Sequence, residues 1–148
     1  MTRSKRLVPA GRFMDEQERK KAERLSSSER RVADCEAKLA ELERYHADYA
    51  REFALKAGRG TGAASLRDYQ VFLARLTQAI NQQTQILVHA RRERDVELQR
   101  WQQAARQAKA VGNVMERWRT EERRAEQKRE QRETDERAQR APGTRGST

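Results

Sequence analysis

With 148 residues the chain has the length of one ordinary domain, but its composition excludes an ordinary globular core. Charged side chains make up 38% of the residues and aromatic ones only 5%, so the apolar residues must form a seam between helices. The net charge of +10 permits an acidic partner, the single cysteine excludes an internal disulfide, and no apolar run approaches the roughly 20 residues that span a bilayer.

The first twelve residues are predicted to form a basic, mobile tail. They hold four basic residues and no acidic one, and no apolar segment follows them as in a secretory signal. Pro9 lies in this tail, and the only other proline is Pro142. Because proline inside a helix removes an amide donor and clashes with the preceding turn, the long helical part of the chain is expected between these two prolines.

Residues 13–57 are predicted to form the first helix of a coiled coil. Mostly apolar side chains recur there every seven residues in two stripes, which is the spacing of a coiled-coil seam. The seam positions assigned to this helix are Leu25, Val32, Cys35, Leu39, Leu42, Tyr49 and Phe53.

Residues 58–64 are predicted to form a glycine-rich turn. Gly58, Gly60 and Gly62 can take positive φ angles without steric cost. The same spacing vaguely resembles a phosphate-binding loop, but the lysine and the preceding strand of such a loop are missing, so the turn is preferred. Ser65, with Asp68 three residues later, is a typical N-cap for the helix that follows.

Residues 65–140 are predicted to form the second helix. Folding the chain back at Thr61 brings its stripes onto those of the first helix, so that an a-type position faces a d-type position in each layer. This register predicts an all-α fold: a long, stalk-like, antiparallel two-helix coiled-coil hairpin with short disordered termini. The seam positions on this helix are Tyr69, Leu73, Leu76, Ile80, Leu87 and Trp101.

The predicted seam becomes polar away from the turn. A charge in a seam must reach water or find a partner, so either this half packs loosely and depends on another protein, or long charged stems cover the seam. Gly112 is the weak point of the second helix, which is expected to have no intramolecular partner beyond it. The polar layers are Ser28 with Arg94, Leu25 with Glu97, Lys21 with Trp101, and Glu18 with Ala104.

The end of the second helix is predicted to be a highly charged extension at residues 116–140. It is polar all round apart from Trp118 and two alanines, and pairs such as Glu133 with Arg137 support a helix at i,i+4 spacing. Residues 141–148 are predicted to be a disordered tail.

No catalytic, cofactor-binding or metal-binding site is predicted, and the chain is not expected to be an enzyme. His46 is expected to pack in the seam, and His89 has no cysteine or histidine nearby at ligand spacing. Cys35 is a seam position, where a thiol acts as a small apolar group rather than a nucleophile.

An extra apolar row lies on the second helix near the turn. Its members are Phe72, Ala79 and Ile86, and Leu76 and Gln83 flank it. Phe72, Leu76, Ala79 and Gln83 follow the spacing i, i+4, i+7, i+11 and share one helical face. Two interpretations remain open. The row either widens the seam by packing Phe72 against the first helix, or forms a docking patch for another protein.

Three segments resemble the family of the flagellar export protein FliJ, and the resemblance covers nearly the whole chain. They are YHADYAREF at residues 45–53, DYQVFL through AINQQ at residues 68–83, and EQK with DERAQR between residues 126 and 140. The resemblance implies a cytoplasmic component of the flagellar type III export apparatus, located peripherally at the inner membrane at the flagellar base, without direct membrane insertion.

The resemblance also implies partners and binding residues. The implied partners are the hexameric export ATPase, which the protein would enter as a central stalk and help to assemble, the cytoplasmic domain of the export gate, and export chaperones that it would escort. The implied gate-docking residues are Phe72, Leu76, Ala79 and Gln83, of which Gln83 departs from the histidine of some members. The implied stalk region contains Arg19, Lys20, Arg24, Arg94, Arg100, Arg106, Trp118, Arg124 and Lys128.

Two other functions compete with this one. The first is the equivalent stalk of an injectisome, which is similar in shape and weak in motifs. The second is a basic nucleic-acid-binding coiled coil, which the isoelectric point of about 10.4 permits. Because acids interleave with the bases and aromatic residues are few, no nucleic acid is expected as a partner.

Overall fold

The computed structural model describes residues 1–60 and 62–140, and these residues form two helices. Helix α1 spans Arg3–Gly58 and helix α2 spans Ala63–Arg140, with no strand in the described part of the chain. The predicted all-α class is confirmed, and so is antiparallel pairing, because early residues of α1 contact late residues of α2. The predicted tail at 141–148 lies outside the described residues.

The helix pair divides into two compact units. The turn unit is Lys20–Gln102, and the terminal unit combines Met1–Arg19 with the chain from Gln103 onward. Each unit contains a stretch of α1 and a stretch of α2.

Helix α1 begins earlier than the sequence analysis predicted. Residues 1–12 were expected to be a mobile tail, but α1 starts at Arg3 and contains Pro9. The heptad spacing continues backward to Ser4, which is only 4% exposed against α2. The contacts made by the other residues of this stretch therefore stabilise the helix by more than the missing hydrogen bond of Pro9 costs.

Helix α2 continues through its predicted weak point at Gly112, and it differs from the prediction in having a partner beyond that residue. Gly11 lies against α2 so closely that a Cβ atom there would be 3.0 Å from Met115 Sδ and 3.8 Å from Val111 Cγ1. The lack of a side chain at Gly11 thus lets the two backbones approach within the terminal unit. The expectation that α2 stands alone beyond Gly112 is wrong, because it depended on a disordered start of the chain.

The turn is shorter than the predicted 58–64. Gly60 has φ 74°, the only positive φ among the described residues. The amide of Leu66 donates to the carbonyl of Gly62 at 3.2 Å, so α2 begins there rather than after the predicted cap at Ser65. Thr61, the predicted point of folding, lies outside the described residues.

The core of the turn unit is a small seam cluster. Val32, Cys35, Leu87 and Ala90 are 1–8% exposed and pack together, with Leu39 against them. Closer to the turn the seam is aromatic. The ring centroids of the predicted seam residues Phe53 and Tyr69 lie 6.5 Å apart. The other seam residues of this unit are half-buried, apart from Tyr49, which is classed as exposed.

Candidate protein-binding surfaces

The aromatic end of the turn unit carries the apolar row of α2. The ring of Phe72 lies 4.5 Å from that of Tyr49 on α1, yet Phe72 remains 40% exposed and Tyr49 36%. Both interpretations of the row therefore apply to Phe72, because its ring packs on α1 and still exposes surface to a partner. Leu76 and Ala79 are half-buried beside it.

Gln83, the last member of the predicted docking row, lies in the seam instead. It is only 5% exposed, and its Nε2 donates to the carbonyl oxygen of Cys35 at 3.2 Å. A partner cannot reach this side chain without opening the helix pair, so the structure removes Gln83 from the accessible patch. Ile86, one turn further on, is 46% exposed and extends the accessible row.

We define the docking patch as Phe72, Leu76, Ala79 and Ile86. One further aromatic side chain of the turn unit, Tyr45, is 49% exposed on α1. In the sequence Tyr45 stands out only as part of the family segment at residues 45–53. Its position one turn before Tyr49 on α1 is the signal that could have identified it as a surface residue.

A small network lies next to the turn. Lys56 Nζ donates to the Tyr69 hydroxyl at 2.5 Å and lies 4.6 Å from the centroid of the ring, and the same hydroxyl donates to Glu52 at 3.4 Å. The hydrogen bond with Tyr69 raises the pKa of Lys56 above its ordinary value. This contact joins the last turn of α1 to Tyr69 near the start of α2.

Two charged residues of the predicted polar seam, Arg94 and Glu97, form their ion pairs along α2. Glu97, 18% exposed in its side chain, accepts from Arg100 at 3.1 Å, while its second oxygen is buried without a hydrogen-bond partner in the described residues. Arg94 pairs with its neighbour Asp95 at 3.0 Å. These bonds do not pair Arg94 or Glu97 with an opposite charge on α1. The charged groups in this half of the seam are therefore less well compensated than the apolar half is packed.

The terminal unit is closed by a clasp at the start of α1. The backbone amide of Ser4 donates to Glu122 Oε1 at 3.0 Å, and the Ser4 hydroxyl donates to Oε2 at 2.6 Å. The guanidinium of Arg3 lies 4.2 Å from the centroid of the Trp118 ring. The Ser4 hydroxyl bond, followed by the amide bond, lowers the pKa of the Glu122 carboxyl. We call these four residues the clasp.

The clasp was missed because its members look unremarkable in the sequence. Ser4 and Glu122 are 118 residues apart, and neither has an unusual neighbour. Their heptad positions were the only available signal. Trp118, predicted to belong to a stalk region, is half-buried within the clasp.

Beyond the clasp α2 is exposed on every side from Arg123 to Arg140. Its hydrogen bonds join residues of α2 itself, such as Arg129 with Glu126 and Gln131 with Asp135. A helix that is polar all round either relies on such local pairs or acquires a packing partner.

The remaining residues of the predicted stalk region divide between the two units. Within the turn unit Lys20, Arg24 and Arg100 are exposed and Arg94 is half-buried. The terminal unit holds the others, which are exposed: Arg19, Arg106, Arg124 and Lys128.

The two histidines and the cysteine were considered above as possible catalytic or metal-binding residues, and here they make contacts within the helix pair. His46 Nε2 shares a hydrogen bond of 3.2 Å with the Thr77 hydroxyl, His89 lies 3.0 Å from Glu93, and Cys35 is buried. The described part of the chain contains no group of three His, Cys, Asp or Glu side chains that could hold a metal ion. Neither described helix includes an apolar stretch long enough to cross a membrane.

Comparison with known proteins gives one match. The family model of FliJ, described as the flagellar FliJ protein, matches residues 4–147. No curated protein and no solved structure matches the chain.

Proposed function

The chain belongs to the flagellar FliJ protein family, and we propose that it acts as the stalk of the hexameric export ATPase. Family membership makes the protein a component of flagellar type III export. The proposal adds three roles to this: binding and assembly of the ATPase, docking on the cytoplasmic domain of the export gate, and escort of export chaperones. It also places the protein in the cytoplasm, peripherally at the inner membrane.

One observation carries the stalk role, namely the exposed segment from Arg123 to Arg140. It follows directly after the clasp, where α1 and α2 are held together by Ser4 and Glu122. This segment is a single helix that is polar on every side. It has no apolar stripe that an apolar groove could bury, so it suits a charged cavity better. The net charge of +10 on the chain favours an acidic lining for that cavity.

The docking role depends on the patch of Phe72, Leu76, Ala79 and Ile86. A partly exposed aromatic ring surrounded by aliphatic side chains is typical of an interface hot spot. Gln83 takes no part in this contact because it is buried. The chaperone role rests on family membership alone, and we assign no surface to it.

Truncation tests the stalk role. A chain that ends at Glu122 keeps every clasp residue and loses only the exposed segment and the tail. We expect it to remain helical, since the seam is intact, and to lose its stimulation of the cognate export ATPase. Circular dichroism and ATP hydrolysis by the purified ATPase are the two measurements.

Phe72→Ala in the full-length chain is the control, because it changes the docking patch and leaves the exposed segment intact. It should stimulate the ATPase as the parent chain does. Full stimulation by the truncated chain would contradict the stalk role, whatever the docking patch does.

A further inference from the structure

The clasp gives the first residues of α1 a fixed outer surface. Ser4 is bound to Glu122 through its amide and its hydroxyl, so residues 3–14 are held as a helix against α2. The side chains that point away from α2 therefore occupy set positions instead of moving with a loose tail. Binding through such a surface costs less ordering entropy than binding through a flexible segment.

We define the N-terminal face as Lys5, Arg6, Pro9, Arg12 and Phe13. These positions follow the spacing i, i+1, i+4, i+7, i+8, which is one side of a helix, and all five residues are exposed. Their side opposes the one that carries Ser4 and Gly11 into the contact with α2. Phe13 is 56% exposed, so a large apolar ring stands on this outer side.

The face has one sign of charge. Residues 1–14 contain four basic residues and no acidic one, and the first carboxylate of the chain is Asp15. By contrast, the segment after the clasp interleaves acids with bases. Residues 1–14 thus contribute exposed bases and no acid to this side of α1.

The apolar members of the face are flanked by the basic ones. Pro9 and Phe13 are one turn apart and form an apolar strip, with Arg6 on one side and Lys5 and Arg12 on the other. A helix that presents bases beside an aromatic residue suits the surface of an anionic bilayer, where the bases meet headgroup phosphates and the ring enters the boundary with the acyl chains. We propose that this face binds the surface of membranes that contain anionic phospholipids.

A flat lipid surface fits this face better than an acidic protein. The face is an exposed helix side rather than a shaped pocket, and its recognition elements are charge and one apolar strip. Neither requires a partner of defined shape. The binding is peripheral, since neither described helix can cross the bilayer.

Vesicle co-sedimentation of the full-length chain tests the proposal. The probes are vesicles of phosphatidylcholine alone and vesicles of phosphatidylcholine mixed with phosphatidylglycerol. We expect the chain to sediment with the mixed vesicles only, and added salt to release it. The triple variant Lys5→Gln, Arg6→Gln, Arg12→Gln should bind on the order of a hundredfold more weakly, because each base near an anionic surface contributes about fivefold.

A matched triple variant separates this face from the net charge of the molecule. Arg44→Gln, Arg67→Gln and Arg75→Gln remove the same charge from exposed positions of the turn unit. Its binding should stay within about threefold of the parent, since these bases lie outside the face. An equal loss in both triple variants would overturn the proposal, because binding would then follow net charge.

The apolar strip has its own matched pair of variants. Phe13→Ser should weaken vesicle binding about tenfold through loss of the inserted ring, whereas Val96→Ser, at another exposed apolar position, should leave it unchanged. Circular dichroism shows that each variant is folded. Failure of the parent to bind the mixed vesicles, equal binding to both vesicle types, or capture by soluble polyglutamate in place of vesicles would each overturn the proposal.

Discussion

Glu122 binds the start of α1 through both of its carboxylate oxygens, so a single side chain anchors the first turn of this helix. The two bonds from Ser4 require an ionised acceptor, which is why they lower the pKa of this carboxyl. A carboxyl group whose pKa is lowered by folding stabilises the folded state above its unfolded pKa. That contribution is lost as the pH falls through the lower, folded pKa.

The first prediction concerns Glu122→Gln. The amide side chain can accept only one of the two bonds, so we expect residues 3–14 to exchange their backbone amide hydrogens faster at neutral pH. Hydrogen exchange, corrected for intrinsic rates, measures this. At a pH below the folded pKa of Glu122 the parent loses the same bonds, and the difference between the two chains should disappear.

Glu121→Gln is the control for this prediction, because Glu121 is an exposed neighbour with the same charge. It should exchange like the parent chain at both pH values. Equal exchange in the Glu122→Gln chain and the parent at neutral pH would show that the clasp does not hold α1.

Phe72 carries the second prediction. Phe72→Ala removes the exposed ring that we place at the centre of the docking patch, so its binding to the gate domain should weaken about thirtyfold, the effect of a loss of about 2 kcal/mol at a hot spot. Its thermal stability should fall by only a few degrees, because the ring is 40% exposed and its stacking on Tyr49 is worth about 1 kcal/mol. Titration calorimetry and thermal melting separate the two effects.

Two controls define the edge of the patch. Val71→Ala changes an exposed apolar side chain next to Phe72, on another side of α2. Gln83→Leu changes a polar side chain that is buried in the seam. Both variants should bind the gate domain as the parent does. Weaker binding by Gln83→Leu, with its fold intact, would return this residue to the patch.

Helix α2 is continuous through Gly112, although glycine is the poorest helix former after proline. Nothing lies within 4 Å of the position that a Cβ atom would take there. The third prediction is therefore that Gly112→Ala stabilises the protein by about 1 kcal/mol, through the lower conformational entropy of the unfolded chain. Urea unfolding measures the change.

Gly60→Ala should change the free energy of unfolding in the opposite direction. With φ at 74° this glycine has a conformation that an alanine adopts only with strain, so the variant should lose about 1 kcal/mol. If Gly112→Ala gave no gain while Gly60→Ala gave this loss, α2 would be interrupted at Gly112.

The two helices and the apolar part of their seam could be predicted from the sequence, because heptad spacing is a local signal. The layers of Cys35 with Leu87 and Phe53 with Tyr69 follow from that spacing alone. The start of α1 could not be predicted in the same way, because Pro9 is a strong local argument against a helix. The bonds that overrule it come from Glu122, which is distant in the sequence.

The candidate site was predictable only in part, for a related reason. The spacing of Phe72 and Gln83 places them on one side of α2, but that side lies at the edge of the seam. Small differences in helix rotation then decide which side chain is buried, and a glutamine can enter the seam when a backbone carbonyl accepts its bond. Sequence alone does not show that acceptor.

At the scale of the whole molecule, each unit presents a different kind of surface. The turn unit presents the apolar docking patch beside an aromatic seam, and the terminal unit presents a charged helix without a packing partner in the described residues. This division suits the proposed function, in which the two units bind partners of different chemistry. The stalk role of the terminal unit is the central claim.

Site-specific photocrosslinking in the native cytoplasm tests that claim most directly. A benzophenone amino acid at Gln131 lies in the exposed segment, and one at Gln70 lies at an exposed position of the turn unit. We expect Gln131 to crosslink to the export ATPase and Gln70 not to do so. Crosslinking of the ATPase from Gln70 alone would contradict the stalk role.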